Sequence, residues 1–178
     1  MSDLPLKRGA GAAVPSKLYL VFLVGEERFA LPATEIAEVL PRLPLKPIAQ
    51  APHWVAGVFG HRGRVVPVID VGALMFGQPA LERTSTRLVL VHYRADPARP
   101  DLLLGLVLQQ ATQTLRCNPE EFRPYGLSNR ATPYLGPVRE DALGMLQWVG
   151  VQDLLDDVAR QLLFAPQLSQ LLAEGDTP

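Results

Sequence analysis

The chain has 178 residues, 48% hydrophobic and 20% charged, with 17 Lys and Arg against 18 Asp and Glu for a formal net charge of -1. This is the composition of an ordinary globular domain, or of two small lobes, with enough apolar side chains for a sizeable core. The near-neutral balance offers no electrostatic footprint for nucleic acid or an anionic bilayer, and the single cysteine, Cys117, excludes an internal disulfide and a cysteine zinc cluster.

Residues 1–17 are rich in Gly, Ala, Pro and Lys and read as a flexible arm; a basic pair there has no apolar run behind it, unlike a secretory signal. LYLVFLV (18–24) is β-branched and aromatic, too short for a helix and stopped by Gly25, which predicts a strand buried on both faces. GEER turns and RFALP returns, so residues 18–32 form a hairpin that ends at Pro32. TEIAEVLP (34–41) fits one helical turn or a strand, with Thr34 as a candidate cap. Prolines 41, 44, 47 and 52 make the following stretch an extended connector on the surface.

HWVAGVFG and RVVPVID are two further strands about a glycine turn, and Pro67 marks the second as an edge strand or a bulged one. Asp70 is placed to cap the short helix VGALMFG. Strands are expected at 86–93, 101–109 and 111–116, then irregular chain over 117–133, broken by three prolines. YLGPVRE and ALGMLQWVG form a final hairpin. VQDLLDDVARQLLF (151–164) repeats Leu154, Leu155, Val158 and Leu162 at helical steps and predicts an amphipathic helix; residues 166–178 trail off as a flexible tail.

Nine or ten short strands, with helix only at connectors and the C-terminus, predict an all-β fold, a sandwich or barrel. The proline belt and the irregular loop divide the strands into two small barrels sharing an interface. Apolar runs of about seven residues fall far short of the roughly 20 that cross a bilayer, so no direct membrane insertion and a cytoplasmic location are expected.

The residues of chemistry do not gather. There is no phosphate-binding loop, nucleophile elbow or His-Glu-x-x-His sequence. His53, His61 and His92 fall on different elements with no carboxylate at ligand spacing, so no metal site is expected. Asp153, Asp156 and Asp157 suit the solvated start of a helix. Cys117 with a distant histidine is the one candidate for covalent chemistry, as a small β-barrel hydrolase or thiol enzyme, although cysteine is commonly a small buried hydrophobe. No catalytic set, cofactor or metal is assigned.

What stands out is Arg62, on a turn between Gly60 and Gly63 and braced by strands. Arginine carries five donors in a rigid fork, which makes a firmly held one a good anchor for a partner protein. The alternative is an arginine paired to a local glutamate. Ile36, Val39 and Leu40 alternate with Glu35 and Glu38, whose carboxylates must reach solvent or a partner.

The order YLVFLVGEERFALP, TEIAEVL, then APHWVAGVFGHRGRVVPVIDV resembles the CheW-like coupling proteins of bacterial chemosensory arrays. Gly57, Val58, Arg62, Gly63, Val65, Pro67, Asp70 and Val71 match the G-V-x-x-x-R-G and V-P-V-x-D-L pattern of that family, and the likeness spans about residues 18–164. The resemblance implies two five-stranded SH3-like barrels side by side over residues 18–165, divided near 80–90, with the C-terminal segment able to return to the first lobe. It implies an adaptor without enzymatic activity that couples the cytoplasmic tip of chemoreceptors to the regulatory domain of a CheA-type histidine kinase. An apolar groove between the barrels would seat the receptor helices. Receptor contacts would include Ile36, Glu38, Val39 and Arg62, and kinase contacts Val55, Gly57 and Val58. The family usually writes Asn-Leu-Arg-Gly where this chain has Gly60-His61-Arg62-Gly63; it also has Gln109 in place of an acid, and Gln147-Trp148-Val149-Gly150 in place of Leu-Leu-Asp. These departures suit a paralogue tuned to its own receptor and kinase, such as one in a non-flagellar pathway.

Overall fold

A computed structural model describes residues 15–125 and 130–165. Most of the expected arm, the expected tail and residues 126–129 of the irregular loop lie outside the described residues. Among those described, the strands are β1 (Lys17–Val24), β2 (Glu27–Pro32), β3 (Ile36–Pro41), β4 (Val55–His61), β5 (Arg64–Asp70), β6 (Arg87–His92), β7 (Leu103–Cys117), β8 (Leu135–Asp141) and β9 (Gly144–Val149). Two α-helices accompany them, α1 (Val71–Phe76) and α2 (Asp157–Phe164). Among the described residues no helix is long and apolar enough to cross a membrane.

The strands form two five-stranded SH3-like barrels that share β7. In one lobe the order is β8-β9-β2-β1-β7, and in the other β3-β6-β7-β5-β4. The first part of β7 pairs with β6 from Arg87↔Leu108 to His92↔Leu103, and its second part pairs with β1 from Leu23↔Gln109 to Lys17↔Cys117. Separate strands were expected over 101–109 and 111–116; instead one strand continues through a bulge, with Gln110 at φ 50 and the register with β1 shifting between Val21 and Leu23. A bulge lets one strand bend from sheet to sheet without breaking.

A boundary near 80–90 therefore does not separate the lobes. The lobe of β3 to β6 is inserted between β2 and the second half of β7, and β9 returns to pair with β2 in parallel through Arg28↔Leu146, Phe29↔Gln147 and Ala30↔Trp148. Chain order hides this, because the strands that complete the first lobe come about a hundred residues after it begins.

Alternation along the strands feeds three cores. Tyr19 and Val21 of β1 pack with Ala30, Cys117, Phe122 and Leu146 inside the first lobe. Val66, Val68, Leu88 and Leu90 fill the second lobe. The opposite faces, with Leu20, Phe22, Ile69, Val89, Val91 and Leu106, make a central layer between the lobes. LYLVFLV is thus apolar throughout because each of its faces has its own core.

The central layer is completed from the C-terminus. Val151, Leu154, Leu155, Ala159, Leu163 and Phe164 enter it, and Phe164 stacks on Tyr93 with ring centroids 5.0 Å apart. The helix is also shorter than its periodicity predicted. Val151–Asp153 is a 3-10 turn, and α2 restarts at Asp157 because Asp156 caps it, accepting from the Ala159 backbone N–H at 2.8 Å. The restart rotates the apolar face, so Val158 and Leu162 point to solvent while Ala159 and Leu163 are buried.

Other local expectations resolve similarly. Asp70 caps α1, accepting from Ala73 N at 3.1 Å, and its second oxygen accepts from Ala80 N at 2.9 Å. Ala33–Glu35 is a single 3-10 turn without a side-chain cap, so Thr34 lies inside the turn rather than capping it, and β3 follows at once. β5 is not an edge strand: it lies between β4 and β7, and the bulge sits on β4 between Val55 and Gly57. Pro67 is tolerated one residue before pairing with β7 begins at Val68↔Gly105.

Candidate functional site

β4 and β5 pair down to His61↔Arg64, leaving Arg62 and Gly63 as a two-residue loop. Both are left-handed, with φ 51 and φ 77. Such a loop matches the twist of the flanking strands, and its first position usually holds Asn, Asp or Gly. An arginine there costs about 1 kcal/mol in backbone strain. Gly60, expected to shape the turn, lies in β4 without a positive φ; the special geometry belongs to Arg62 and Gly63.

Glu38 sits on β3, which among the described residues is an edge strand paired only with β6. His61 Nε2 lies 3.1 Å and Arg62 Nη2 3.4 Å from the same oxygen, Glu38 Oε2. β3 and β4 are the two ends of their five-stranded sheet, so these contacts join its edges through side chains, with the Phe59 and His61 rings 5.8 Å apart beside them. The His61 side chain is 15% exposed, Glu38 31% and Arg62 76%. Arg62 is therefore both the glutamate-paired arginine and the displayed arginine that the sequence offered as alternatives. Its partner glutamate is distant in sequence, and no local pattern links His61 to it.

The remaining site residues are dispersed around this group. Val39 is the exposed apolar one, at 46%. Ile36 is half-buried against the central layer. Val55 is half-buried, while Gly57 and Val58 are buried beneath the connector, where Lys46 and Val58 exchange backbone hydrogen bonds at 2.8 and 2.9 Å. Gly57 has φ 141, and a Cβ on it would stand 2.5 Å from the Lys46 carbonyl oxygen. Gly57 and Val58 thus shape the β4 backbone rather than display side chains. A hollow of about 490 Å³ starts at Gly63 and Arg64 and runs between Pro67, Leu102 and Leu163.

The covalent alternative has no support in the geometry. Cys117 is buried with Tyr19, Phe122 and Leu146 in the first lobe, whereas His53, His61 and His92 precede or end strands of the second. Burial pushes the Cys117 thiol up, with Arg139 pulling the other way and Glu121 adding to the rise, the reverse of an activated nucleophile. Among the described residues no cluster of three or more His, Cys, Asp and Glu could hold a metal ion.

Comparison with known proteins adds a family likeness to this geometry. The model of the CheW-like domain matches residues 18–159. The chemotaxis protein CheW of Helicobacter pylori is 27% identical over 107 residues, 60% of this chain and 61% of that protein. Protein FrzA of Myxococcus xanthus is 39% identical over 62 residues, 35% of this chain and 39% of that protein. The matches thus span 61% and 39% of these relatives' own lengths. The crystal structure of the scaffolding protein TtCheW from Thermoanaerobacter tengcongensis superposes with a TM-score of 0.69 at 18% identity, covering 79% of this chain and 88% of that one.

Proposed function

The chain belongs to the family of CheW-like domains, and from that premise we propose that it is a cytoplasmic chemosensory adaptor joining chemoreceptor tips to the regulatory domain of a CheA-type histidine kinase. It works by binding alone. Receptor state biases the kinase through two shared interfaces, each expected to bury about 1,000–2,000 Å². Glu38, Val39 and Arg62, with Ile36 behind them, serve the receptor. The β4 strand at Val55, Gly57 and Val58, with its covering connector, serves the kinase.

One observation carries this reading: Arg62 occupies a left-handed loop position that costs stability, yet most of its side chain lies in solvent. A pair so exposed returns little folding energy. A residue kept in a strained and displayed position points to a contact outside the chain. Arginine suits that contact, because its planar fork is a frequent centre of protein interfaces.

The test is direct titration of the purified chain with a CheA-type regulatory domain and with a soluble receptor tip encoded beside it. Saturable binding to each, and a three-way complex when all are mixed, is the expected result. Failure to bind either partner would remove the adaptor reading.

A further inference from the structure

Gln152 joins three distant segments. Its Nε2 donates to Glu35 Oε2 at 3.1 Å and to the His92 carbonyl oxygen at 2.8 Å, while its Oε1 accepts from the Arg94 backbone N–H at 2.8 Å. Arg94 Nη1 also approaches Glu35 Oε2, at 3.4 Å. Both amide N–H groups and the amide oxygen are used, and only one orientation of the amide satisfies a donor at Arg94 and acceptors at His92 and Glu35.

The location gives this clamp a consequence. Glu35 closes the 3-10 turn that carries the chain out of the first lobe, and β3 begins at the next residue. Gln152 is held from behind, because its neighbours Val151, Leu154 and Leu155 are buried in the central layer. Between Glu35 and Glu38 the ladder with β6 slips: Ile36 pairs with Val91 but Glu38 with Leu90, leaving Ala37 as a bulge. The bulge leaves Ala37 without a ladder partner and bends β3 there, so the direction from which Glu38 enters the ladder depends on where Glu35 is anchored.

We infer that Gln152 is a positioning residue for the receptor-facing strand, anchoring Glu35 so that Glu38 meets His61 and Arg62 across the two sheet edges. This rests on the adaptor reading for its functional consequence. The side chain touches no partner itself; it acts through Glu35 and the lead into β3. None of the clamp's hydrogen bonds involves Val55, Gly57 or Val58, so the kinase-facing residues of β4 are not held by it.

The test compares the wild-type chain with Gln152→Met, which keeps the length of the side chain and removes its hydrogen bonds. Receptor-tip affinity is expected to fall about three- to tenfold, with kinase-domain affinity unchanged and the backbone amide resonances of Ala37, Glu38 and Val39 shifted. Unchanged receptor affinity, or an equal loss for both partners, would overturn the inference. If Gln152→Met does not fold, Glu35→Met, which removes the acceptor at the other end of the clamp, provides the same comparison and the same two outcomes. If the wild-type chain binds no receptor tip, the adaptor reading fails by itself. The resonance shifts in the free protein then decide whether Gln152 positions β3, and their absence from residues 37–39 would refute it.

Discussion

Arg62 reaches back from its hairpin loop to Glu38 on β3, with Nη2 3.4 Å from Glu38 Oε2, while 76% of its side chain remains in solvent. The contact closes the sheet edges only loosely, since His61 approaches the same oxygen more closely and is far better covered. Backbone strain at φ 51 and the small worth of an exposed pair act against each other. Arg62→Asn should therefore preserve the fold or raise its melting temperature slightly, because Asn tolerates the left-handed region. The same substitution should weaken receptor-tip binding by about 2 kcal/mol. Thermal unfolding and titration read the two effects separately. Unchanged receptor affinity would take Arg62 out of the interface.

The sequence carried the strands well and the assembly poorly, for a physical reason. LYLVFLV announces a strand buried on both faces, and it is one, but nothing in it says that Tyr19 and Phe22 serve different cores. Glu38 and His61 read as unrelated polar residues until the barrel brings its edges together. Gln152 lies 117 positions from Glu35, with no local pattern to connect them. The apolar periodicity of residues 151–164 runs through Asp156, but Asp156 begins the helix afresh and so turns the buried face of α2 away from that pattern. Local propensity determines elements; long-range pairing determines sites.

Gly57 separates the two kinds of defect a partner-binding assay can confuse. Alanine there must adopt φ 141 and place a methyl group against the Lys46 carbonyl, which is held by its hydrogen bond from Val58 N. Gly57→Ala should lower folding stability by about 2–3 kcal/mol. Any loss of kinase binding in that variant should track the unfolded fraction and recover at lower temperature. Val55→Ala removes a half-buried side chain without this clash, so it tests the surface itself. A Gly57→Ala protein as stable as the wild type would show that the connector moves aside freely.

The first lobe contains an acid-sensitive tie. Arg28 donates to both oxygens of Asp141 at 2.8 and 3.2 Å, Leu143 N donates at 2.8 Å, and Arg139 lies 3.0 Å away while also pairing with Glu121 at 2.7 Å. The Arg28 hydrogen bonds hold the Asp141 carboxyl below its ordinary value, partly opposed by burial. A carboxyl group lowered in the folded state binds protons more readily when unfolded. Its contribution is therefore present above the unfolded value near ~4 and disappears as pH falls through the folded one. Asp141→Asn should cost about 1–2 kcal/mol at neutral pH, and the gap to wild type should close in acid. Denaturant unfolding at both pH values measures this, and a gap independent of pH would reject Asp141 as the source.

Cys117 tests the only rival chemistry. Its thiol sits in the apolar interior of the first lobe beside Tyr19 and Phe122, 6% exposed, with burial pushing its pKa upward. Both steric access and thiolate population limit its reaction, since the thiolate is the nucleophile. At mildly alkaline pH the native protein should react with an aromatic disulfide reagent at least about a hundredfold more slowly than a free cysteine. Denaturant should restore the ordinary rate, because unfolding removes both constraints at once. Cys117→Ala should leave binding to receptor tip and kinase domain unchanged, as the residue faces a core that neither proposed surface shares. A native thiol reacting as fast as free cysteine, together with lost activity in Cys117→Ala, would return covalent catalysis to consideration.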